Sequence, residues 1–149
     1  LDGFKIALHT NKTVLKSPNF IDSYKFIESD WSPVDLSETI LKSKNFYLGV
    51  SDEKICISNK LIGILHTRSY WARMGLDCIG SSQYVNPGFG ANKPTPLILE
   101  IQPKVDIKLN FENAIACLIL YEFENPVQNN LTDYHKRFPL NLKIYTDEG

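Results

Sequence analysis

The chain predicts an all-β fold with one short helix. Three observations carry that expectation. Short stretches of alternating or continuous apolar residues recur from one end to the other. Turn-forming residues such as Pro87-Gly88 and Pro103-Lys104 stand between them. Only YWARMG, residues 70–75, reads as helix. Eight or more short strands of this kind suggest a distorted β-barrel or a jelly-roll-like sandwich.

Taken in order, FKIALH (4–9) alternates, as a half-buried strand does. YKFIES (24–29) is a second candidate, and SPVDLSETIL (32–41) mixes polar and apolar positions as an irregular strand would. NFYLGV (45–50) is expected to end at the polar turn Ser51-Asp52-Glu53, after which KICIS (54–58) alternates again. LIGILHT (61–67) is apolar enough for a buried strand. The helix candidate at 70–75 spans one to two turns, and Gly75 is a natural stop because glycine accepts the left-handed conformation that ends helices. LILEIQ (97–102) and VDIKLN (105–110) are expected to pair across the turn at Pro103-Lys104. AIACLILYEF (114–123) has helical spacing at Ala114, Cys117, Leu118 and Tyr121, but Ile115, Ile119 and Leu120 fill the opposite side. With no polar face, and with β-branched residues recurring, a buried strand fits better.

A length of 149 residues matches one domain, covering 1–149. The chain starts at Leu rather than Met, so part of the N-terminus is expected to be missing, and the stretch from about 126 to 149 is of uncertain order. The net charge is −1, so there is no basic excess to attract a nucleic-acid polymer or an anionic membrane. A single nucleotide remains compatible, since one pocket needs few cations. The cysteine count is odd, with no CxxC. Cys56 and Cys117 sit in apolar runs and read as small core residues, which favours a reducing, cytoplasmic setting over a disulfide scaffold. His9, His66 and His135 are scattered without a metal-ligand spacing, so no protein-bound metal is expected.

Three stretches carry the polar chemistry. In RSYWAR (68–73), Ser69 is placed to cap the helix, and Arg73 to be a surface charge or a partner for Asp77. Alternatively, Arg68, Arg73 and the helix N–H groups converge on phosphates or a carboxylate. In YVNPGFG (84–90), Pro87-Gly88 is a turn pair that accounts for the local sequence, while Asn86 is held before the proline with an amide free to meet a sugar hydroxyl or a base edge. Glu100 stands in LILEIQ on the same face as Ile98. It is either an exposed glutamate on a half-wet strand or a carboxylate in apolar surroundings, whose pKa would rise into the range a proton shuttle needs.

Together these stretches resemble the dCTP deaminase family of the dUTPase-like superfamily. LIGILHTRSYWARMGL (61–76) is similar to its central signature of an apolar strand, Arg-Ser, then Ala-Arg-x-Gly-Leu. NPGFG (86–90) stands where the family carries Asp-Pro-Gly and an aromatic, and LILE (97–100) resembles the strand bearing its catalytic glutamate. The resemblance implies a distorted barrel or jelly-roll-like β-clip, assembled as a homotrimer or higher oligomer with sites between subunits. It implies that Glu100, Ser69 and Arg73 are catalytic, and that Arg68, Tyr70, Ser82, Tyr84 and Asn86 bind substrate. The implied reaction is hydrolytic deamination of dCTP to dUTP without zinc. The protein itself would bind no cofactor, and Mg²⁺ would arrive on the nucleotide triphosphate. Asn86 replaces the family's aspartate, Tyr70 a small serine, and Ser82 and Tyr84 the usual alanine and arginine. The chain also lacks the glycine-rich final motif of the dUTPases. Those departures keep two further readings open: a non-catalytic nucleotide-binding or regulatory homologue, and a dUTP or dCTP diphosphatase. Tyr134, Lys136 and Arg137 are candidates for a tail that closes over substrate.

Overall fold

The computed structural model describes residues 4–22, 24, 30–80 and 83–123. Nine strands and one helix occur among them: β1 (Phe4–Leu8), β2 (Thr13–Lys16), β3 (Ser32–Asp35), β4 (Tyr47–Ile55), β5 (Leu61–Thr67), α1 (Ser69–Arg73), β6 (Leu76–Asp77), β7 (Tyr84–Val85), β8 (Thr95–Pro103) and β9 (Ala116–Glu122). They form a four-stranded sheet in the order β1-β9-β5-β7 and a five-stranded sheet in the order β3-β2-β4-β8-β6. All named pairings are antiparallel. Two sheets with one short helix agree with the expected all-β architecture.

The period-2 pattern explains which faces meet. Along β8, Leu97, Leu99 and Ile101 are buried and point into the main core, which also holds Leu8, Val14, Tyr47, Leu65, Trp71 and Leu118. Ile98 and Glu100 take the opposite face. There Ile98 packs against a second, smaller apolar cluster of Leu15, Trp31 and Leu48. The strand therefore has two half-dry faces, and Glu100 lies on the one with the smaller cover.

Four sequence expectations need correction. Ser51-Asp52-Glu53 is not a turn: β4 runs through it, with a bulge between Val50 and Lys54. Ser51 and Glu53 find partners within the structure, while Asp52 is exposed. Ser51 is 2% exposed, its Oγ donates to the Glu53 carbonyl (2.7 Å) and accepts from Leu97 N–H (2.9 Å). The Glu53 carboxylate takes His9 N–H and contacts His9 Nδ1 at 2.6 Å. Second, residues 105–110 do not pair with β8, because β4 and β6 already hold its two edges. Lys104 N–H instead donates to Gly75 O (2.7 Å), and the chain departs to bridge Leu41 through Ile107. Third, Cys56 is exposed between buried Ile55 and Ile57, and Cys117 is half-buried, whereas Cys78 is the buried thiol. Fourth, Thr13–Lys16 is a strand that no sequence signal singled out. The candidate strand at 24–29 lies outside the described residues, apart from Tyr24.

Candidate active site

The excursion from β5 to β7, residues 68–83, carries most of the predicted site. It leaves β5 at Arg68, whose N–H donates to Ile115 O (2.9 Å). Arg68 occupies the N-cap position of α1 in an extended conformation, with no side-chain cap, so Ser69 is the first helical residue rather than the cap. The helix is anchored through Trp71, which is buried and donates from Nε1 to Ala114 O (3.1 Å). Arg68, Ser69, Tyr70, Ala72 and Arg73 are exposed around that anchor. Five residues align too few peptide dipoles to concentrate charge at the helix start, so any affinity for phosphate rests on the two guanidinium groups. Gly75 ends the helix at φ +92°, as the sequence predicted, and its carbonyl ties α1 to the end of β8 through Lys104.

The chain next runs alongside the carboxylate. β6 pairs with β8 at Leu76–Pro103 and Asp77–Gln102, and Ile79 bridges Glu100 in parallel. Asp77 turns its own carboxylate onto the N–H groups of Ile79 (2.9 Å) and Gly80 (3.2 Å). It pins this turn, so Asp77 is not a free partner awaiting Arg73. Cys78 N–H donates to Thr67 Oγ1 (3.0 Å), which fastens the turn to the end of β5. Burial pushes the Cys78 thiol up to about 12, so it remains protonated and is no thiolate nucleophile.

Glu100 is half-buried. The register places it opposite Leu48, and hence on the same face. Gly80, at φ +58°, lies directly over it: a Cβ added there would overlap Glu100 Oε2 and approach its Cβ to 2.9 Å. The predicted glutamate is thus enclosed on one side by backbone and flanked by aliphatic side chains.

After residues 81–82 the excursion returns to β5. Leu65 N–H donates to Gln83 O (2.7 Å), and Tyr84 and Val85 pair with Ile64 and Gly63. Tyr84 is exposed on this short strand, and Asn86 is exposed beside it. Asn86 O accepts from Phe89 N–H (3.1 Å), and Gly88 has φ +77°, as a type II turn requires at its third residue. Pro87 and Gly88 are buried because the turn docks on the 55–58 segment, through Ile57 N–H to Phe89 O (2.9 Å) and Gly88 N–H to Ser58 O (3.1 Å). Phe89 packs against the main core. The turn therefore holds Asn86 firmly while leaving its amide in solvent. Ser82, and the tail candidates Tyr134, Lys136 and Arg137, lie outside the described residues.

One excursion thus carries Arg68, Ser69, Tyr70 and Arg73 and touches Glu100 through Ile79 and Gly80, while Tyr84 and Asn86 follow on β7 and the turn after it. Thr67 and Gly80 did not stand out in the sequence and Asp77 was read only as a partner for Arg73, although Asp-x-x-Gly at 77–80 is a turn signal that points to Asp77 and Gly80. Among the described residues, no group of three or more His, Cys, Asp or Glu side chains is placed to hold a metal ion. No helix among them is long and apolar enough to cross a membrane.

Comparison with known proteins agrees with the all-β fold. A family model described as dCTP deaminase-like matches residues 8–123. A dCTP deaminase of Buchnera aphidicola subsp. Baizongia pistaciae is 42% identical over 53 residues, covering 36% of this chain and 28% of that protein. The crystal structure of 2′-deoxycytidine 5′-triphosphate deaminase from Agrobacterium tumefaciens has the same fold, with a TM-score of 0.71 at 15% identity over 83% of this chain and 43% of the other. The chain spans less than half the length of either relative. With the matched region covering β4 to β9 and the whole excursion around Glu100, the chain belongs to the dCTP deaminase-like family.

Proposed function

We propose that the protein deaminates dCTP to dUTP by metal-independent hydrolysis, with Glu100 as the proton carrier. The observation that supports this best is the setting of Glu100: a carboxylate half-buried opposite Leu48, with the backbone of Gly80 against it. A surface glutamate on a structural strand needs no such enclosure.

The chemistry assigns one group two successive tasks. Glu100 removes a proton from water as the water oxygen bonds to C4 of cytosine, and passes that proton to N3. The C4 centre then carries both hydroxyl and amino groups. Glu100 moves the hydroxyl proton to the amino nitrogen, the C4–N bond breaks, ammonia departs, and the carbonyl of uracil forms. Ser69 holds the water, and Arg73 meets charge that develops around the site. Arg68 and Tyr70 contact the phosphates of a nucleotide that arrives as its magnesium complex. Ser82 and Tyr84 border the base, and Asn86 contacts the sugar. The exposure of Arg68, Ser69, Tyr70, Arg73, Tyr84 and Asn86 on one chain fits a site completed by neighbouring subunits, as in a homotrimer.

Tyr84 and Asn86 favour a second reading, in which the chain binds a nucleotide without turning it over. Both are uncharged positions in a region where the resembling enzymes carry charge. An amide also cannot take a proton as a carboxylate can, which weighs against diphosphatase action. Incubation with dCTP and magnesium, with ammonia and pyrophosphate measured together, separates the three readings. Ammonia without pyrophosphate supports deamination. Pyrophosphate indicates diphosphatase action, and tight dCTP binding with neither product supports the binding protein.

A further inference from the structure

We propose that Gly80 is a positioning residue for Glu100, held in place by Asp77, and that the turn 77–80 fixes where the carboxylate points. The inference rests on the reading of Glu100 as the proton carrier, but its structural half is measurable without turnover.

Three observations converge on the turn. Gly80 has φ +58°, a left-handed conformation that residues with a Cβ rarely adopt. A Cβ added there would overlap Glu100 Oε2 and come within 2.9 Å of the Glu100 Cβ and 3.1 Å of its Cδ. The absent side chain is therefore room that the Glu100 carboxylate occupies. The turn is also restrained from three directions: the Asp77 carboxylate on the N–H groups of Ile79 and Gly80, Thr67 Oγ1 on Cys78 N–H, and the Ile79–Glu100 bridge. A loop serving only to connect β6 with β7 needs none of this closeness to a carboxylate.

The overlap falls chiefly on the end of a flexible side chain. An alanine at 80 is thus expected to swing the Glu100 carboxylate away while leaving β8 in place. A misplacement of about 1 Å costs on the order of 100-fold in rate when the group must meet a reacting atom. For Gly80→Ala the expected outcome is a fall of about 100-fold in kcat, with KM for dCTP changed by less than about threefold, because the proposed phosphate and sugar contacts, Arg68, Tyr70 and Asn86, lie outside the turn.

The test pairs that kinetic split with ¹³C NMR of the glutamate carboxyl carbons, the Glu100 signal being assigned by its loss in Glu100→Gln. In Gly80→Ala the signal moves toward that of a solvent-exposed glutamate. In Gly75→Ala, where φ is +92° but the added Cβ meets Val105, it stays in place. Asp77→Ala loosens the turn without adding any overlap and is expected to move the Glu100 signal too, which keeps the test intact should Gly80→Ala fail to fold. An unmoved Glu100 signal in the folded turn variants overturns the inference whatever their activity, and so does a moved signal with unchanged kcat. If the wild-type protein releases no ammonia, the proposed reaction fails, while the carboxyl signals still report whether the turn positions Glu100.

Discussion

Replacing Ser51 with alanine tests how the bulge in β4 holds the strand that carries Glu100. Ser51 is 2% exposed and makes two hydrogen bonds at once, donating to Glu53 O at 2.7 Å and accepting from Leu97 N–H at 2.9 Å. The methyl of alanine removes both. Leu97 N–H lies in the interior, where an unsatisfied donor costs about 1–3 kcal/mol. Glu53 O is only partly buried and recovers some of its loss from water, adding about 0.5–1 kcal/mol. The sum, about 1.5–4 kcal/mol, is a large share of the ~5–15 kcal/mol that stabilises a domain. For a chain of this size it corresponds to a fall in Tm of roughly 3–16 °C. Urea unfolding monitored by fluorescence gives the free energy directly, and an unchanged m-value shows that the unfolded reference has not moved. A loss below about 0.5 kcal/mol would refute the reasoning, since it would mean that water already serves both backbone groups.

Three further predictions concern Gly90 and the cysteines. Gly90→Ala should destabilise by about 2–4 kcal/mol, because residue 90 sits at φ +73° and a Cβ there would overlap the backbone carbonyl of Ile55, which cannot swing aside as a side chain can; urea titration beside wild type measures it. A disulfide reagent should modify exposed Cys56 in the native protein and reach buried Cys78 only on unfolding. Because the folded Cys78 pKa is raised from 9.0 to about 12, its contribution to stability is complete below pH 9 and is lost as pH rises from 9 toward 12. Unfolding free energies of wild type and Cys78→Ala across that range should converge as pH increases, and parallel curves would contradict the assignment.

The fold was legible where a local pattern coincided with burial. LIGILHT, the helix ending at Gly75 and the apolar run that becomes β9 all follow from periodicity and glycine placement. Reading failed where tertiary partners decide. Ser51-Asp52-Glu53 has turn composition, yet Leu97 and His9 supply partners that let it stay within a strand. VDIKLN alternates, yet the edge it would need on β8 is occupied by β6, a two-residue strand too short to leave a signal. Cys56 appears apolar in context but falls on the outward phase between Ile55 and Ile57. In the site, the face of Glu100 was legible from alternation with Ile98. Its enclosure was not, since that depends on a glycine twenty residues earlier in sequence. The turn at 86–90 was legible as a turn, whereas its docking onto residues 55–58 required the folded chain.

The account stands most directly on ammonia release from dCTP by the wild-type protein and by Glu100→Gln, with folding and dCTP binding verified for both. The predicted result is equimolar ammonia and dUTP from wild type, no pyrophosphate, and a loss of about 10²–10⁴-fold in kcat for Glu100→Gln with binding retained. A folded wild-type protein that binds dCTP and releases no ammonia, or a Glu100→Gln variant that releases it at the wild-type rate, would contradict it.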